Sequence, residues 1–130
     1  TAEQLEGYTV FNQYNCSSCH TGPNIGGQMI QRMGIVRPWP NQEDLGLFHT
    51  TGDAGHKMFF RVAPLRNVTR TRPYFHDASS RTILDAIRKM AEYEAGVYIP
   101  DTDTMKIFEF LKALEGELPV EWVKVPELGE

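Results

Sequence analysis

Asn15-Cys16-Ser17-Ser18-Cys19-His20 is the stretch on which the reading of this chain turns. Two thiols three positions apart, with an imidazole directly after them, form C-x-x-C-H, the attachment signal of c-type haem. The spacing suits that chemistry. Both thiols can reach the vinyl groups of one porphyrin as thioethers, and the adjacent imidazole then meets the iron from one side. Three other uses of the cysteines compete. A thioredoxin-like dithiol needs a βαβ context, which the flanks lack. A tetrahedral zinc site needs two more ligands at short spacing, and His49, His56 and His76 are scattered without an H-x3–5-H pair. A disulfide closing so small a loop is strained and adds little stability. Haem attachment is the reading the sequence favours.

Working outward, Leu5, Tyr8, Phe11 (or Val10) and Tyr14 recur at three-residue steps and predict a helix running into Cys16. Residues 21–39 read as loop, punctuated by Gly22-Pro23-Asn24, Gly26-Gly27 and Pro38-Trp39-Pro40, with Met29 and Met33 in a short amphipathic piece. Residues 41–51 read as irregular, Gly52-Asp53-Ala54-Gly55 as a turn, and Phe59 to Pro64 as an apolar run ended by proline. Ser79 or Ser80 can cap a helix to about Tyr93, with Ile83, Leu84, Ile87 and Met90 on one stripe and Gly96 as its stop. After Pro100, Asp101 or Asp103 can cap a last helix carrying Ile107, Phe110, Leu111 and Leu114, stopped by Gly116 and Pro119. The expectation is one domain over 1–130, with a core at about 3–116 and an extended tail at 117–130 that drapes over the surface and carries Trp122. The fold class expected is all-α and cytochrome c-like, with long loops wrapped around one covalent haem.

Composition supports this. Eleven glycines and eight prolines in 130 residues leave little regular structure, and 41% apolar content is thin for a large unaided core. No run approaches the roughly 18 apolar residues of a membrane span. Seventeen acidic against thirteen basic side chains give a net charge of −4, without the basic stripe that nucleic acid requires. Haem of this type is attached outside the cytoplasm, so a periplasmic or exported protein is expected. Thr1-Ala2-Glu3-Gln4-Leu5 already reads as mature helix, so the secretion segment is expected to have been cleaved or left out.

His20 supplies one axial ligand. The other can be Met29, Met33, Met58, Met90, Met105, one of the three remaining histidines, or nothing, and each choice means a different chemistry. Position favours Met90, 70 residues past His20 at the end of the penultimate helix. The competing reading makes Met90 a core residue of its apolar stripe. Met105 is expected in the core, and Met29, Met33 and Met58 against the haem. Glu92 and Glu94, just beyond Met90, are expected at a solvated helix end. His49 and His56 are expected to be exposed, without local partners.

Phe60-Arg61-Val62-Ala63-Pro64-Leu65-Arg66-Asn67-Val68 and Thr71-Arg72-Pro73-Tyr74-Phe75-His76-Asp77 resemble the bacterial dihaem cytochrome c peroxidases, in their C-terminal, electron-transferring haem domain. The likeness continues through Ile87-Arg88-Lys89-Met90 and Phe110 to Gly116, and upstream through Cys19 to Met29. It implies haem c bound by Cys16, Cys19 and His20, with Met90 as second iron ligand and Pro64, Arg66 and Asn67 against the cofactor. Arg66 would pair with a propionate, and His76 would lie near the haem without ligating it. Two departures stand out: one C-x-x-C-H motif instead of two, and Leu47 where that family has an arginine. Calcium, held in the family by carbonyls near Thr71 and Pro73 between two domains, is not expected. From the single motif follows the expectation of a monohaem electron carrier that is not an enzyme. It would be a monomer docking transiently with redox proteins, without nucleic acid or membrane span. The alternatives are a peroxidase-like enzyme or a haem-based redox or gas sensor with a labile sixth ligand.

Overall fold

The computed structural model describes residues 1–127; the last three positions of the expected tail lie outside it. Helix α1 (Ala2–Gln13) opens with a capping box, in which the Thr1 hydroxyl accepts from the Gln4 N–H and the Gln4 side chain accepts from the Thr1 amine. It ends where Asn15 turns left-handed (φ 58°), a conformation asparagine tolerates better than most residues. The short 3₁₀ turn Cys16–Ser18 follows directly, so the helix delivers the C-x-x-C-H motif as expected.

The buried face of α1 is Gly7, Val10 and Phe11, with Leu5 67% exposed. This corrects the predicted stripe, and the reason is a close crossing. Helix α4 (Asp101–Lys112) lies across α1 at Gly7, where any Cβ would collide with the Lys106 carbonyl oxygen. Ile107, Phe110, Leu111 and Leu114 are all buried, as their spacing predicts. The Phe110 ring lies 5.1 Å from Phe11 and 5.2 Å from Tyr8, and Tyr14 donates to Asp103 Oδ2 at 2.8 Å. Leu65, Ile87, Ala91 and Ile99 complete this core. Full burial of each large aliphatic side chain contributes about 1.5–3 kcal/mol.

Helix α3 (Ile83–Met90) is capped by the Thr82 hydroxyl, which accepts from Asp85 N–H, rather than by Ser79 or Ser80. A π-helical turn (Ala91–Ala95) continues it, and Gly96 (φ 72°) stops it. Helix α4 begins after Pro100 without a side-chain cap, so neither Asp101 nor Asp103 caps it, and it ends at Lys112, ahead of Gly116. The loops hold three elements the sequence reading lacked. Strands β1 (Ile30–Arg32) and β2 (Phe59–Arg61) pair antiparallel, Gln31 opposite Phe60, where an amphipathic piece was expected. A single helical turn, α2 (Phe48–Thr51), lies between them. Met105 is exposed rather than core, and Trp122 in the tail is 82% exposed. The fold is otherwise the helical, loop-rich architecture expected.

Two carboxylates brace the loop before α3. Asp85 Oδ2 accepts from Ser80 Oγ at 2.6 Å and pairs with Lys89 at 3.2 Å. Asp77 accepts from Trp39 Nε1 at 2.9 Å and from Ser79 N–H at 3.1 Å. Burial alone would raise both carboxyls, but these donors outweigh it and hold them below the usual aspartate value. Their stabilisation is therefore complete above the unfolded-state value and is lost as pH falls through the lower folded one. The thermal midpoint is expected to drop as pH falls below about 4, and Asp77→Asn with Asp85→Asn should flatten that slope. A slope unchanged in the double variant would remove these two groups as its cause.

Candidate haem site

His20 leaves the Cys16–Ser18 turn with its backbone N–H bonded to the Cys16 carbonyl at 3.0 Å. Its ring Nδ1 lies 3.2 Å from the Ala63 carbonyl oxygen. A carbonyl only accepts, so Nδ1 carries the proton and Nε2 is the bare nitrogen, the tautomer of a metal-ligating imidazole. Burial depresses the ring's pKa, only partly opposed by backbone hydrogen bonding at Ala63 and Ile25, and so favours the neutral form that ligates.

The Ala63 carbonyl is itself held in place. Beyond the β1–β2 ladder, Val62 N–H bonds to Met29 O at 2.9 Å and Gly27 N–H to Val62 O at 2.7 Å. Leu65 N–H reaches Asn24 O at 3.1 Å. Gly26 (φ 129°) touches this segment so closely that a Cβ would collide with the Ala63 carbonyl oxygen. The loop after the motif thus wraps back onto the strand that orients His20.

Both cysteines are free thiols and half-buried. Burial pushes Cys16 up to about 11, the opposite of the lowered value a dithiol nucleophile needs. No group of three or more His, Cys, Asp or Glu side chains among the described residues could hold a metal ion, which counts against the zinc reading. The thiols fit thioether attachment. His76 gives a separate sign of a bound group: its Nε2 is buried without any hydrogen-bond partner among the described residues. Such atoms are rare in native proteins, and a bound polar group is the ordinary remedy. The His76 ring stacks on Phe60 at 4.1 Å and lies 6.1 Å from Trp39.

Met90 is half-buried at the last position of α3, immediately before the π turn. Met58 is buried, and Met29 and Met33 are half-buried along the strand pair. Arg66 and Pro64 are exposed. Asn67 (φ 58°) uses its side-chain oxygen to accept from Gly116 N–H at 2.8 Å, tying this loop to the chain beyond α4. Glu115 ties the same two segments through Thr69 at 2.6 Å and Arg70 at 2.6 Å.

Three features were missed. Glu94 is half-buried and accepts from Gly34 and Ile35 N–H, where a solvated helix end was expected; only Glu92, paired with Arg37 at 3.2 Å, fits that expectation. Trp39 is 2% exposed and anchored by Asp77. His49 and His56 do have local partners: Leu45 N–H donates to His49 at 3.0 Å, and His56 lies 3.1 Å from the Thr51 hydroxyl. Asp44 and Asp53, each ahead of a glycine, were the available turn signals.

No family model matches this chain. It is 35% identical to the cytochrome c551 peroxidase of Nitrosomonas europaea over 90% of its own length, and 36% identical to that of Pseudomonas aeruginosa over 99%. It is 33% identical over 89% of its length to the cytochrome c peroxidase Ccp of Escherichia coli. The chain spans only 35%, 39% and 26% of those three proteins. In structure it superposes on a MauG-like protein associated with microbial copper homeostasis with a TM-score of 0.69 at 22% identity, covering 90% of this chain and 48% of that one.

These relatives overturn one expectation. All three are named peroxidases, which are enzymes, and that contradicts a carrier outside enzymology. The expectation rested on a second C-x-x-C-H motif missing from a chain that spans a minor part of such proteins. What lies in the rest of those relatives' length is no measure of what this segment takes part in. Sequence and fold together make the chain similar to part of the cytochrome c peroxidases, with a helical, cytochrome c-like fold.

Proposed function

We propose that this chain is the electron-passing haem unit of a peroxidase-type protein, with one haem c joined to Cys16 and Cys19 and with His20 and Met90 as its iron ligands. Bound there, the haem iron supplies a one-electron couple whose potential the protein tunes through ligands, burial and hydrogen bonds. The observation that carries the reading is the His20 Nδ1–Ala63 hydrogen bond, which fixes the ring's tautomer and orientation in advance. His76 offers a buried donor or acceptor to the cofactor, and Arg66 an exposed guanidinium, without an ion pair among the described residues, for a propionate. Pro64 and Asn67 shape the loop between them.

Haem of this type is attached outside the cytoplasm, which supports a periplasmic or exported location. Among the described residues no helix is long and apolar enough to cross a membrane. Redox partners would dock transiently on the monomer, and the net charge of −4 favours a basic patch on the partner, with binding that weakens as salt rises.

The test is the absorption spectrum of the oxidised, haem-loaded protein. A weak red charge-transfer band marks methionine ligation, and Met90→Ala is expected to abolish it. A band that survives the substitution moves the ligand to another residue. A high-spin resting spectrum would sink the electron-passing role altogether.

A further inference from the structure

We propose that Glu94 is a positioning residue that keeps Met90 on the haem iron, by strapping residues 34–37 onto the turn that follows Met90. The inference rests on the reading of Met90 as a ligand. A thioether is a neutral, weak ligand on a side chain with three rotatable bonds, so its place on iron depends on how firmly its backbone is held. The backbone just beyond Met90 is a π turn, a rare departure from the regular helix that recurs at functional sites. Support has to come from elsewhere in the fold.

It comes from one loop. Val36 and Arg37 both donate their N–H groups to the Tyr93 carbonyl, each at 3.1 Å. Gly34 N–H donates to Glu94 Oε1 at 2.6 Å, and Ile35 N–H reaches Oε2 at 3.4 Å. Four consecutive amides are therefore spent on two residues of the π turn. The loop can lie this close because Gly96 has no side chain; a Cβ there would sit 2.6 Å from Val36 Cγ1. Gly34 (φ 75°) lets the strap double back, and Trp39 closes it with its ring edge-on to Tyr93 at 5.0 Å.

Glu94 is the strongest tie in the set. Its bond to Gly34 is charge-assisted and short, whereas the Arg37–Glu92 pair is exposed and contributes little. The carboxylate is half-buried and forms no ion pair among the described residues, and burial raises its pKa despite the two amides. An acid placed out of water without a cation is a cost to the fold. Here the return on that cost is two backbone amides pinned beside the residue proposed to reach the iron. Removing the acceptor leaves those amides unpartnered and frees the turn.

The experiment uses the haem-loaded chain and reads the methionine charge-transfer band, the midpoint potential and the rate of cyanide binding to ferric iron. Glu94→Ala is expected to lose most of the band and to bind cyanide about tenfold faster or more, with unchanged far-UV dichroism. Glu94→Gln should keep the band, because its amide oxygen still accepts from Gly34. Glu92→Gln, which breaks only the surface pair, should match the wild type. Should Glu94→Ala not fold, Glu94→Asp withdraws the carboxylate by one methylene and is expected to show the same loss. A wild-type band and cyanide rate in the folded Ala or Asp variant overturns this inference alone. A wild-type protein without a band that depends on Met90 overturns the ligand assignment, and this inference with it.

Discussion

Gly7→Ala is expected to destabilise the domain by about 2 kcal/mol, although helix propensity taken alone predicts the opposite. Gly7 lies inside α1, where exchanging glycine for alanine in an exposed helix gains about 1 kcal/mol. At this position the new methyl would occupy the space of the Lys106 carbonyl oxygen and lie 3.0 Å from Phe110 Cβ. A collision with backbone cannot be relieved by a rotamer change. The two helices must move apart, and overpacking of this kind costs about 1–3 kcal/mol and occasionally more. The second effect therefore wins. Urea unfolding of the variant should show a lower midpoint with an unchanged slope. Gly116→Ala is the control: nothing lies within 4 Å of the added atom, and a change within about 0.5 kcal/mol is expected. If Gly7→Ala were as stable as Gly116→Ala, the close crossing of α1 and α4 would be wrong.

His20→Ala is expected to have the largest effect on the cofactor. Cys16 and Cys19 would still tether the porphyrin, but the iron would lose the imidazole whose orientation the Ala63 carbonyl sets. Changes to groups that merely orient a ligand cost about 10–100-fold in metal affinity or activity, so loss of the ligand should exceed that. The oxidised spectrum should depart from six-coordinate low-spin, and free imidazole should restore it by filling the vacated space. A variant whose spectrum matches the wild type without added imidazole would show that His20 is not the ligand. The fold should survive, because the ring touches the core only at its edge, 6.4 Å from Phe11, while Val10, Ile107, Phe110 and Leu111 pack on one another.

How much of this could be read in the sequence depends on where each determinant resides. The stripe Ile107, Phe110, Leu111 and Leu114 was legible because these four positions follow a helical period along and just beyond α4 and all four are buried. In α1 the same logic misplaced Leu5, since the closest contact there is made by Gly7, a residue that periodicity counts as neither apolar nor polar. The strand pair escaped notice because three-residue strands are shorter than any alternation a reader can trust. The proposed haem site divides in the same way. Cys16, Cys19 and His20 announce themselves as residue types at a fixed spacing. The atom that orients His20 is a main-chain carbonyl at Ala63, and main-chain atoms carry no residue identity. Glu94 was misread for a related reason: its partners are two amides sixty and fifty-nine positions away, with no side chain to signal the match.

The β1–β2 pairing has a consequence for which length changes the chain can accept. Ala63 presents its carbonyl to His20 because Gln31 stands opposite Phe60 and Met29 opposite Val62. One residue gained or lost between Gly27 and Arg32, or between Phe59 and Ala63, would slide the ladder by a position and offer the imidazole a neighbouring carbonyl facing the other way. The exposed connection at Asn41–Asp44 carries no such constraint, since length added there leaves the register untouched. Among homologous chains, gaps should gather in that connection and stay out of both strands.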